Sequence, residues 1–292
     1  MGNLALITRP SGILLSFLKK SPLPRKFSEK LSSKSKNRLI MKILKTHLRL
    51  FSAALALLAV SSCGSDDSGD DGTMTTAELS TAFEAFDTDN TTIYLDGDEV
   101  VIETNGLPNH TSPYWSSSHP LYVEPTVATG LAPGNIDNFN GSYTLRIPAN
   151  PGKASSSSST GLGAIGIAVS GSVIYNDEEG PNVPLDNAAP SLDYTGAHTG
   201  PQSYHYHLEP KAWSNDDDVL IGVISDGFFL FGRKCNSTGT YPTDLDASGG
   251  HTSTTQYHTE AVYHYHIQNE LYLNTYYILF PGDYQGTPNA IN

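Results

Sequence analysis

From Thr91 onward apolar and polar residues alternate in short runs, and glycine or proline interrupts nearly every one of them. "TTIYLDGDEVVIETNG" (Thr91 to Gly106) alternates on both sides of Asp96-Gly97, the pattern of two strands joined by a tight hairpin turn. "GSYTLRIPAN" predicts another strand, closed by Pro148. "GAIGIAVSGSVIY" and "VLIGVISDGFFLFG" are continuously apolar and broken by glycine, as strands buried on both faces require. "ELYLNTYYILFPG", dense in aromatic and β-branched residues, predicts a late strand, and "ASSSSST" (Ala154 to Thr160) a surface loop. Only "TMTTAELSTAFEAF" has helical spacing, with a threonine cap. The sum is a mainly β protein, a single sandwich- or barrel-like domain.

The pattern occurs twice. Ile165-Gly166, Ser170-Gly171, Leu192-Asp193, Gly196-Ala197-His198-Thr199 and Tyr204-His205-Tyr206-His207 recur in the same order. Their counterparts are Ile221-Gly222, Asp226-Gly227, Leu245-Asp246, Gly249-Gly250-His251-Thr252 and Tyr263-His264-Tyr265-His266. Five blocks in one order predict an internal duplication, two β units related by a pseudo-two-fold axis, with copies at about 164–210 and 220–270.

Alternating histidines carry the candidate chemistry. On a strand, residues two apart share a face, so His205 and His207 lie opposite Tyr204 and Tyr206, and His264 and His266 opposite Tyr263 and Tyr265. Two imidazoles so spaced can converge on one ion, and His198 or His251, in a glycine-flanked loop, supplies a third. Histidine ligation suits Zn or Cu rather than Mg or Ca. Asp193 and Asp246 are expected as acceptors on the far ring nitrogens, and Asp226, which replaces Ser170 in the second copy, as a general base if the site is catalytic. The rings of both halves meet in one common pocket if the two tetrapeptide strands are adjacent; otherwise two related sites form. His110 and Trp115, with Tyr114 and Tyr122 nearby, are candidates for a ligand or sugar-stacking groove, and His258 for an extra ligand of the second copy. There is no nucleophile elbow, phosphate-cradling glycine loop or HExxH, and "DTDNTTIYLDGDE" lacks the EF-hand spacing.

Charge changes the picture at the N-terminus. Only 5 of the 17 lysines and arginines but 29 of the 30 acidic residues follow Cys63, so that part carries about −24 (5 − 29). Such a body repels nucleic acid and anionic lipid. Met41 opens a basic segment, then the apolar "FSAALALLAV", too short to span a bilayer, then "SSC". Val60-Ser61-Ser62-Cys63 resembles a bacterial lipobox, which makes Cys63 the lipidated first residue of the mature protein. The expected organisation is an upstream extension of the reading frame or a transit peptide (1–40), a lipoprotein signal peptide (41–62), a flexible acidic tether (63–75) and the β domain (76–292). The tether also resembles the surface-export signals of some Gram-negative lipoproteins. The implied location is the cell envelope, as an outer-membrane lipoprotein or at the cell surface, with the membrane reached only through the lipid. With Cys63 lipidated, Cys235 has no disulfide partner and is either a small buried residue or a thiol near the site.

"YHYH" itself, "GHT" upstream of it, "SDGFFLFG" and "TNGLPNHTSPYW" together resemble the YHYH-domain proteins, over about Ile93 to Ile267. The resemblance assigns no activity. In that family a cysteine often precedes the Gly-His; Thr195 and Ser248 stand near that place here, so no cysteine role carries over. Three functional readings follow. The first is a secreted, lipid-anchored domain that binds a transition metal for acquisition or handling. The second is a metal-dependent hydrolase or oxidoreductase with a three-histidine site. The third is a surface module that binds a glycan or other small molecule, or mediates adhesion, without metal.

Overall fold

A computed structural model describes residues 77–127, 134–137, 139, 141–200 and 203–292. Cys63, the signal peptide, the tether and residues 1–40 lie outside the described residues. The fold is mainly β, a curled sheet that forms a half-barrel.

Three strands, β1 (Thr91–Asp96), β2 (Glu99–Thr104) and β3 (Tyr143–Pro148), form an antiparallel sheet in that order. The β1–β2 turn falls at Gly97-Asp98, with Gly97 at φ 68°, as the hairpin pattern predicts. The apolar runs are hairpins too: β4 (Gly166–Ala168) with β5 (Val173–Ile174), and β10 (Leu220–Ile224) with β11 (Phe229–Phe231). Between these lie the small hairpin β6 (Glu178–Gly180) and β7 (Val183–Pro184), then β8 (Ala197–Thr199) and β9 (Tyr204–Tyr206). The last strands are β12 (Gly250–Ser253) and β13 (Val262–His266).

Eight of them form one sheet in the order β12-β13-β11-β10-β4-β5-β9-β8. The order is a palindrome of the two repeats. Its centre is the antiparallel pair β4·β10, where Gly166 faces Ile224, Ile167 faces Val223 and Ala168 faces Gly222. These pairs map onto one another under exchange of the repeats, so the pseudo-two-fold axis passes by Ile167 and Val223. Only glycine fits beside it: a Cβ on Gly166 would come 2.6 Å from the Val223 carbonyl oxygen, and one on Gly222 would strike the Ile167 carbonyl.

The eight-stranded sheet buries both faces. One packs Val100, Ile102, Leu145 and Ile147 of the small sheet against Ile167, Val223 and Phe231. The other gathers Tyr204, Tyr206 and Tyr265 with Ile174, Ile224, Leu230 and Phe280.

Two expectations fail. In "TMTTAELSTAFEAF" the described residues, from 77 on, form only a 3-10 turn, Thr81–Ala85, capped by Ser80 rather than threonine. "ELYLNTYYILFPG" is not a continuous strand. Leu273 and Asn274 take φ 50° and 56°, folding the run into a turn closed by a Tyr272–Tyr276 bridge, and Ile278 bridges to Leu208. Two adjacent left-handed residues are a turn geometry that strand propensity does not foresee.

Candidate metal centres

Each tetrapeptide strand has its Gly-His strand as antiparallel neighbour. His198 faces His205 across β8·β9, and His251 faces His264 across β12·β13. The approach is set by Gly196 and Gly249, at φ 76° and 79°; a Cβ on Gly196 would lie 2.7 Å from Leu208 Cβ. Alternation then places the tyrosines in the core and all the histidines on the opposite side of the strand. His205, His207, His264 and His266 are nonetheless buried, each 3% exposed or less. Burial thus applies to both faces, so the histidines do not simply point to water.

Two clusters result. In the first, His198, His205 and His207 each bring a ring nitrogen within 4.8 Å of the others; in the second, His251, His264 and His266 do so together with the Cys235 sulfur. The ring triangles are nearly the same, with centroid separations of 4.5, 4.9 and 5.4 Å against 4.9, 4.9 and 5.1 Å. They do not share a pocket. Four strands, β5, β4, β10 and β11, separate β9 from β13, roughly 24 Å measured along the sheet. The common pocket is therefore ruled out: the histidines gather into two separate clusters.

Hydrogen bonds dictate the tautomers. His205 Nδ1 lies 2.9 Å from the Ser203 carbonyl oxygen and His207 Nδ1 2.6 Å from that of Asn176. In the second half, His264 Nδ1 lies 2.9 Å from the Val262 carbonyl oxygen and His266 Nδ1 2.7 Å from that of Gly232. A carbonyl only accepts, so each Nδ1 carries the proton and donates it, and each neutral ring turns a bare Nε2 lone pair inward. His264 Nε2 and His266 Nε2 then oppose each other at 3.1 Å. The Nε2 atoms of His198 and His207 are buried and make no hydrogen bond.

A tetrahedral ion fixes the distances between its donors. Ligand bonds of about 2.0–2.1 Å to nitrogen and about 2.3 Å to sulfur imply edges of about 3.3 Å between nitrogens and about 3.6 Å between nitrogen and sulfur. The second cluster has 3.1 Å for the former and 3.5 Å for Cys235 Sγ to His251 Nε2. At the first cluster, Glu179 Oε1 stands 3.4 Å from His198 Nε2 and 3.5 Å from His207 Nε2, near the same edge length. The second cluster thus offers four donors to one ion, and the first offers three imidazoles with the Glu179 carboxylate beside two of them.

Burial holds the rings neutral. Loss of solvation, the main cause throughout, lowers His198 and His205, takes His207 and His264 to about 4, and takes His266 to about 3. The neighbouring imidazoles add repulsion to any proton on His205, His207, His264 or His266. A neutral imidazole is the metal-binding form.

The aspartates sit elsewhere than expected. Asp193 accepts from Tyr204 Oη (2.6 Å), Ser112 Oγ (2.8 Å) and the Thr195 amide (2.9 Å), and Asp246 from Tyr263 Oη (2.7 Å) and the amides of Ser248 and Gly250. They shape the Gly-His turns and hold the tyrosines on the side away from the rings. The carboxylate on a cluster imidazole is Asp244, 2.9 Å from His251 Nδ1; that bond holds the Asp244 carboxyl below the usual range.

Asp226 is also on the tyrosine side. It accepts from Tyr265 Oη (2.6 Å) and the amides of Gln285 and Gly286 (3.0 Å each), while burial raises its carboxyl pKa. A general base for an ion at the histidines would have to stand on their side of β13, and Asp226, bonded to Tyr265 on the other side, does not. Asp226→Ala should leave four donors, the three above and the Phe228 amide, without this acceptor and lower stability by about 3 kcal/mol. Thermal unfolding checks this, and metal content should stay unchanged.

The groove residues are internal. His110 bonds to Tyr206 Oη at 2.6 Å and packs against Trp213. Trp115 and Tyr114 are buried in the core, and Trp115 donates to the His110 carbonyl and stacks on His119, so neither ring faces solvent; Tyr122 is half-buried. His258 stays outside the second cluster. It is bonded to Ser80 and Thr255 and borders a cleft of about 270 Å³ with Lys153, Phe228 and Tyr263.

Glu179 and Asp244 were not anticipated, and Cys235 only as a thiol near the site. The repeat register, carried beyond Asn176 and Gly232, points to two of the three. Residues 142–243 match the family model described as YHYH protein, from β3 through Cys235; the match includes the first tetrapeptide and stops short of the second. No curated protein and no solved structure matches the chain.

Proposed function

We propose that this chain, which carries a YHYH-family domain over residues 142–243, binds transition-metal ions at two separate sites, one at each end of the eight-stranded sheet. The reading is carried by the opposed Nε2 atoms of His264 and His266. Their Nδ1 atoms face carbonyl oxygens, so in neutral rings two lone pairs oppose each other at 3.1 Å, an arrangement that a metal ion bound between them relieves. The first half supports it independently, through the buried Nε2 atoms of His198 and His207 that make no hydrogen bond. Zinc and copper suit imidazole and thiolate donors.

Elemental analysis of the full-length protein is expected to find two ions per chain. His205→Ala and His264→Ala should each remove one, and the double variant both, because the sites share no ligand. Full metal content in both single variants would overturn the proposal.

The role in this reading is metal acquisition or handling at the cell envelope, with the domain tethered through lipid on Cys63. Among the described residues no helix is long and apolar enough to cross a membrane. Labelled palmitate should enter the wild-type protein and not Cys63→Ala; equal labelling of both would remove the anchor.

A further inference from the structure

We infer that the two halves hold metals of different class, a soft thiolate-seeking cation at the Cys235 cluster and a borderline divalent cation at the Glu179 cluster. The inference rests on the metal-binding reading above and adds selectivity to it. Its basis is a single exchange within the duplication. Fifty-six positions separate Ile165 from Ile221, Ser170 from Asp226, Asn176 from Gly232 and Glu179 from Cys235. The structure keeps these equivalences, since the carbonyls of Asn176 and Gly232 serve His207 and His266 alike, and Tyr175 and Phe231 lie against His205 and His264. Glu179 is thus the counterpart of Cys235. Cys235 brings its sulfur to all three rings of its triangle, and Glu179 brings a carboxylate oxygen to two rings of the other, His198 and His207.

The exchange decides the chemistry. Thiolate favours Cu(I)-like ions and zinc, whereas a carboxylate with imidazoles favours harder divalent ions. Surroundings differ in the same direction. All four donors of the Cys235 cluster are buried, and the hydroxyls of Ser237 and Ser253 lie 3.1 and 3.3 Å from its sulfur. At the other cluster, His198 and Glu179 are partly exposed, 18% and 25%. A closed, thiolate-bearing site retains its ion, and an open-edged one exchanges it.

Cobalt(II) tests this, because only a thiolate ligand adds a near-ultraviolet charge-transfer band to its spectrum. The full chain is used as Cys63→Ala, so that Cys235 is the only thiol, freed of metal and titrated with Co²⁺. Two equivalents should bind, one of them with the thiolate band. One equivalent of Ag⁺ should abolish that band and leave the second cobalt in place. Glu179→Gln should weaken the band-free site at least tenfold and spare the other, while Glu179→Cys should create a second thiolate band and make both cobalts sensitive to Ag⁺. Two bound cobalts displaced equally by Ag⁺, or no second band in Glu179→Cys, would overturn the selectivity and leave metal binding standing. Failure to bind cobalt at either half would instead sink the reading on which it rests.

Discussion

Zinc added to the metal-free protein is expected to raise its thermal midpoint by roughly 10 °C for each site filled. An ion that binds only the folded chain stabilises it by about 4 kcal/mol at a free concentration a thousand times its Kd. For a domain of this size each kcal/mol moves the midpoint by about 2–4 °C. The folded state supplies the specific contribution. Bare Nε2 lone pairs at 3.1 Å are a liability without a cation, and the unfolded chain carries no such arrangement. Scanning calorimetry with zinc and then chelator checks this. His264→Ala should lose about half the shift, and a midpoint that zinc leaves unmoved would mean the rings pack without an ion.

Acid should unfold the metal-free protein between pH 6.5 and about 4. In the folded state, burial takes His207 and His264 to about 4 and His266 to about 3, against 6.5 in an exposed chain. Above pH 6.5 these rings are neutral in both states and cost nothing. As pH falls below 6.5 the unfolded chain takes up protons that the folded chain refuses, so stability is lost steadily until the folded rings titrate. Each fully buried ring contributes about 3–5 kcal/mol of this loss, and three together reach the usual total for a domain. Partial protonation of the acidic body relieves its self-repulsion and acts in the opposite direction, so a decline from pH 6.5 is a histidine signature. Denaturant midpoints measured from pH 7 to 4.5 should fall steeply for the metal-free form and far less with zinc bound. Equal midpoints at pH 7 and pH 5 would show that the rings are hydrated, not buried.

The legible features were the local ones. Faces of β9 and β13 follow from a two-residue period, so the separation of tyrosines from histidines could be read from either tetrapeptide. The β1–β2 hairpin was legible for the same reason, since Asp96-Gly97 is turn chemistry between alternating runs. Long-range pairing was not. β5 inserts beside β9, and β11 beside β13, as parallel neighbours reached through crossovers, and this moves the two YHYH strands to opposite ends of the sheet. Asp193 and Asp246 show the same limit at short range: their spacing to the histidines was right for contact, yet the left-handed turns at Gly196 and Gly249 send them to the tyrosines.

The sequence by itself determined the strand-rich fold, its duplication and the six histidines with one face each, because these depend on residue identity and on neighbours a few positions away. Tertiary structure decided that the histidines gather into two separate clusters, with Cys235 within reach of one and Glu179 beside two rings of the other. It also decided that Asp226 supports Tyr265 and not an ion. These are matters of which distant backbone segments lie side by side, and that is set by the packing of the whole sheet against its two cores.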